Sequence, residues 1–68
     1  MKLIERIAHN LKHYRERQEL SQSALAKKSG IAMPLISWLE NGKRKNVTIN
    51  TLLKLADALH VQLIDLLQ

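Results

Sequence analysis

Three consecutive cations, Lys43, Arg44 and Lys45, follow an Asn41-Gly42 pair. Side chains of this type, closely spaced, suit phosphate: each can neutralise an oxyanion and release a condensed counterion. On a bare loop they would only favour the C-terminal end of the preceding helix. The segment before them gives them a stronger purpose, developed below. His9 and His13 would share a helix face with Glu5 one turn earlier, a spacing that a metal ion could use. No closed ligand set accompanies them, and ordinary helix-surface pairing explains the pattern better, so we expect neither metal nor cofactor. No nucleophile, base and orienting group suggest themselves, and no glycine-rich phosphate loop follows a strand. The chemistry on offer is the binding of a polyanion, not catalysis.

The overall charge agrees. Eleven Lys and Arg oppose six Asp and Glu among 68 residues, for a net charge of +5 and a pI near 10.0. A basic balance in so short a chain suits nucleic acid, although it also serves solubility. The length predicts one domain over residues 1–68 with an unfavourable ratio of surface to volume. Cysteine is absent, so neither a disulfide nor a thiolate metal site can assist. Packing, alone or with help from a second subunit, must supply the stability. No apolar run is long enough to span a bilayer, and the charges scattered through "MKLIERIAHN" are unlike a secretory signal. A soluble, cytoplasmic protein is expected.

Helical elements must position these groups. Leu3, Ile4, Ile7, Leu11 and Tyr14 recur at helical spacing and predict a first helix from about Lys2 to Arg17. His9, His13 and Glu16 fall on its opposite side, whereas Arg15 falls on the apolar side. Ser21 is a candidate N-cap for a second helix, "QSALAKKS", with Leu25 and Ala26 inward and Gly30 as its left-handed end. A third helix follows after only Gly30, Ile31 and Ala32. Pro34 suits its first turn, and Asn41 and Gly42 close it. Thr48 caps a fourth helix with Leu52, Leu55, Ala56 and Leu59 on one face, and a short fifth runs from Leu63 to Leu67. With no strand alternation and no repeat, the expected fold is all-α: five short helices around one core.

Two short helices joined by a tight glycine turn form the helix-turn-helix pattern. Leu35, Ile36 and Leu39 define the buried side of the third helix. Pro34, Ser37 and Asn41 then point outward, flanked by Met33 and Trp38. A helix fits the major groove of B-DNA, so this outward side is where bases would be read.

The segments "LSQSALAKKSGI", "LENGK", "TINTLLKLADAL" and "LIDLL" resemble the XRE-type, lambda-repressor-like helix-turn-helix family, from Leu11 to Leu67. That family comprises bacterial and phage DNA-binding regulators that usually act as dimers on operators of two-fold symmetry. The resemblance implies a compact five-helix DNA-binding domain, a transcriptional regulator acting as a repressor, and a homodimer on double-stranded DNA. By matching position it implies that Met33, Pro34, Ser37 and Trp38 face bases. It likewise implies that Gln22, Asn41, Lys43, Arg44 and Lys45 meet phosphate, and that Arg15 pairs with Glu40. Such a pair would account for a charge on the apolar side of the first helix.

Departures from the family pattern carry information too. Gln, Ser, Arg or Lys is frequent at base-facing positions, but Met33, Pro34 and Trp38 cannot make a bidentate contact to a base. Met33 and Trp38 could meet thymine methyl groups or sugars, leaving Ser37 as the main polar reader and a share of discrimination to DNA shape. Ala32 stands where a Ser or Thr cap is usual, and His60 where Gly is usual. Leu53, Ile64 and Leu67 are candidates for a dimer seam, since an exposed apolar patch needs a reason; alternatively they complete a small core with Leu3 and Ile7. Two other functions share the same fold. One is an antitoxin or protein-interaction module that binds a partner such as a toxin through Trp38, Met33 and Leu35. The other is attachment of basic amphipathic helices to a membrane surface.

Overall fold

A computed structural model describes residues 2–43 and 46–68 of the chain. Among them are five helices and no strand: α1 (Leu3–Arg17), α2 (Gln22–Ser29), α3 (Met33–Glu40), α4 (Ile49–Ala58) and α5 (Leu63–Leu67). Four of the five begin where the local chemistry satisfies or omits an amide; α1 starts after Lys2 with no side-chain cap. The Ser21 hydroxyl accepts the Ala24 N–H at 3.0 Å, and the Thr48 hydroxyl accepts the Thr51 N–H at 3.1 Å. Helix α5 is secured by a reciprocal cap in which the Asp65 carboxylate accepts the Gln62 N–H at 2.9 Å. Helix α3 starts differently. Ala32 has no side-chain acceptor to offer, and Pro34 in the first turn carries no N–H that needs one.

The helix ends share one device. After α1, α3 and α4 the chain turns through a left-handed residue: Glu19 (φ 57°), Gly42 (φ 68°) and His60 (φ 57°). In each case the amide beyond it returns to a carbonyl of the last turn, Leu20 to Arg15 at 3.1 Å, Lys43 to Trp38 at 3.1 Å and Val61 to Ala56 at 3.0 Å. This is the Schellman arrangement, and it holds equally where Glu or His replaces Gly.

Leu11, Leu25, Ile36, Leu39, Leu55, Leu59 and Leu66 are fully buried, so every helix contributes to one core. Helix α1 packs against α3 and α5, α2 against α3 and α4, and α4 against α5. Two polar clamps complete the closure: the Asn10 amide donates to the Leu66 carbonyl at 3.0 Å, and the Gln18 amide to the Leu59 carbonyl at 2.6 Å. One inward expectation is corrected. Leu3 is 55% exposed, at the rim of an apolar cleft it shares with Ile49 and Leu67. Ala26 and Leu35 are partly buried and pack against the core from the inward side. Ala8, not counted in the apolar stripe of α1, is buried.

Candidate nucleic-acid interface

Gly30 ends α2 in the left-handed region (φ 75°), and buried Ile31 leads directly into α3. The turn therefore fixes α3 against α2 through a minimum of chain. On the inner side of α3, Ile36 and Leu39 have no exposed surface. At its far end the Glu40 carboxylate receives a two-pronged grip from Arg15: Nε donates to Oε2 at 2.6 Å and Nη2 to Oε1 at 2.8 Å. The third arm, Nη1, donates to the Leu20 carbonyl at 2.7 Å. The Glu40 side chain is 2% exposed and that of Arg15 11%. Hydrogen bonding to Glu40 raises the Arg15 pKa against the opposing effect of burial, which keeps the guanidinium charged. Helix α3 is thus anchored by apolar packing along its length and by a charged clamp at its end.

The opposite side is left free. Met33 (41% exposed), Pro34, Trp38 (49%) and Asn41 are exposed, and Ser37 is partly buried. These residues follow one another at helical spacing along the rod. Lys43 is exposed where the Schellman turn carries the chain back past the last turn of α3. Arg44 and Lys45, expected to meet phosphate, lie outside the described residues.

Gln22, at the first position of α2, is partly buried, and its Nε2 donates to Glu40 Oε1 at 3.2 Å. One of its two amide hydrogens is therefore committed to the Arg15–Glu40 clamp, which leaves the other for an outside acceptor. Nothing in the sequence pattern signals this bond, because it depends on α2 and α3 meeting at one end. Among the described residues no three His, Cys, Asp or Glu gather into a metal-binding group. His9 and His13 are exposed on α1 with stacked rings 6.4 Å apart, away from the clamp. Leu53 (47% exposed) and Ile64 (52%) are bare on α4 and α5, whereas Leu67 is partly buried against the core. No helix among the described residues is long and apolar enough to cross a membrane.

Residues 11–66 match the helix-turn-helix family. The chain belongs to that family. Helix-turn-helix regulators bind double-stranded DNA, and the protein is a DNA-binding transcriptional regulator, not an enzyme. It is 40% identical over 67 residues to the control protein C.SmaI of Serratia marcescens, spanning 98% of this chain and 79% of that protein. Its fold is similar to that of the restriction-modification controller protein C.AhdI from Aeromonas hydrophila, with a TM-score of 0.87, 33% identity and coverage of 93% of this chain and 94% of that one. It is also similar to a helix-turn-helix transcriptional regulator from Vibrio cholerae, with a TM-score of 0.89 and 30% identity over 94% of this chain. The chain spans only 35% of that regulator's length.

Proposed function

We propose that this helix-turn-helix protein is a homodimeric controller of transcription that represses by occupying a two-fold symmetric operator, within a bacterial or phage-encoded regulatory system. Helix α3 of each subunit lies in the major groove, with Met33, Pro34, Ser37 and Trp38 toward the bases. The free N–H of Gln22, the Asn41 amide and the cations Lys43, Arg44 and Lys45 hold the flanking phosphates. The two recognition helices enter successive major grooves roughly 34 Å apart. Leu53 and Ile64, with Leu67 beside them, form the seam between subunits.

The observation that carries this function is the outward side of α3. A helix clamped at its end and along its inner face leaves Met33, Pro34, Trp38 and Asn41 unused by the monomer, next to exposed Lys43. A role as a control protein draws on the likeness to C.SmaI and C.AhdI, both of which are matched over most of their length. Selection of bound sites from random duplexes, followed by footprinting at moderate ionic strength, tests the proposal. We expect a site with two inverted halves about one turn apart. Absence of any protected sequence overturns the function, and a single unpaired half-site overturns the dimer.

A further inference from the structure

On the reading that α3 enters the major groove, we infer that Met33 and Trp38 form an apolar reader of pyrimidine C5-methyl groups, so that the protein distinguishes thymine and 5-methylcytosine from their unmethylated counterparts.

The exposed side of α3 is poor in groups that read base edges by hydrogen bonds. Pro34 has no donor, and the Met33 thioether is a weak acceptor. The Trp38 indole offers a single N–H. Ser37 is partly buried, and one hydrogen of the nearby Gln22 amide is already engaged by Glu40. Apolar surface is plentiful by contrast: Met33 is 41% and Trp38 49% exposed. They lie five positions apart, a little under one and a half turns, so the two side chains straddle Pro34 and Ser37 on the outward face. The pyrimidine C5-methyl is the apolar feature that a base edge presents in the major groove. An apolar helix face can gain from burying that methyl group and gains nothing specific from the polar edges of the other bases. Cytosine methylated at C5 presents the same group at the same atom, so DNA methylation within a half-site becomes a signal this surface can sense.

The test uses the full-length protein and an operator selected from random duplexes. Each thymine of one half-site is replaced in turn by deoxyuridine, which deletes the methyl and keeps base pairing and the O4 acceptor. At one or two positions Kd should rise about fourfold, the effect of one buried methyl-sized group. At the same positions a 5-methylcytosine–guanine pair should bind about fourfold more tightly than cytosine–guanine. Met33→Ala or Trp38→Ala, at exposed sites that leave the core intact, should abolish the methyl dependence at one of those positions. Uracil substitution that leaves Kd within twofold at every position overturns the inference while leaving DNA binding intact. So does methyl dependence that survives both substitutions. Failure to select any duplex removes the proposed function and the inference with it.

Discussion

Arg15 on α1 grips Glu40 on α3 with two parallel hydrogen bonds of 2.6 and 2.8 Å, and its remaining arm closes on the Leu20 carbonyl. One guanidinium thereby joins the first helix, the turn before the second and the end of the third. The Glu40 side chain is nearly inaccessible, so water cannot take the place of that partner.

Breaking one side of the pair should cost far more than the pair contributes. Arg15→Met leaves the buried carboxylate without its cation, with only the Gln22 amide beside it, and is expected to destabilise the fold by about 3 kcal/mol. An Arg15→Met, Glu40→Leu double variant should recover most of that loss, because the desolvation penalty disappears with both charges. Urea denaturation of the four proteins of this cycle measures the coupling. Equal losses in the single and double variants would show that the clamp does not act as a charge pair.

Alkaline pH should not loosen the clamp. The Arg15 pKa is raised in the folded state, chiefly by the hydrogen bond to Glu40. A cation whose pKa rises on folding keeps its stabilising effect below its unfolded value and loses it only as pH climbs through the folded one. Between about pH 8 and pH 10 both states keep the proton, so the Arg15–Glu40 coupling energy should stay constant across that window. Repeating the double-variant cycle at the two limits checks this; a coupling that fell by more than half would contradict it.

Two helix ends carry avoidable strain. Glu19 and His60 occupy the left-handed region at φ 57° without being glycine. Glycine removes a conformational penalty of about 1–2 kcal/mol and gives back about 0.5–1 kcal/mol through the freer unfolded chain. His60→Gly should therefore stabilise by up to about 1 kcal/mol and raise Tm by about 4 °C. A calorimetric scan that showed a lower Tm would mean that the imidazole makes a compensating contact.

Electrostatics should dominate the DNA complex. If each subunit meets about three phosphates, the slope of log Kobs against log salt for the dimer is about −5. If Lys43 supplies one of them in each subunit, Lys43→Ala should flatten that slope by about 2 and weaken all duplexes alike. An unchanged slope would remove Lys43 from the phosphate-binding set.

The proposed seam is testable apart from the proposed groove contact. Leu53→Glu and Ile64→Glu alter exposed positions and should leave the helical content intact while driving the protein to monomer in sedimentation equilibrium. DNA affinity should then fall by orders of magnitude through loss of the second half-site. A variant that stays dimeric would place the subunit contact elsewhere.

The elements were legible in the sequence because local chemistry sets them. The stripe Ile7–Leu11, the caps Ser21 and Thr48 and the glycine turn at Gly30 each act within a few residues, and the five helices follow from them. Family membership was equally legible, since the motif is contiguous. The Schellman turns at Glu19 and His60 were not foreseen, because a non-glycine residue enters the left-handed region only when its neighbours return hydrogen bonds. Nor were the commitment of Gln22 to Glu40, the clamp from Asn10 to Leu66 and the exposure of Leu3. Each depends on how the helices are placed in space, not on the residues beside it in the chain. By itself the sequence determined what each segment becomes, through hydrophobic periodicity and capping. Only the tertiary structure decided which polar groups are used up inside the protein and which remain open to an outside partner, because hydrogen-bonding capacity is assigned by neighbours in space.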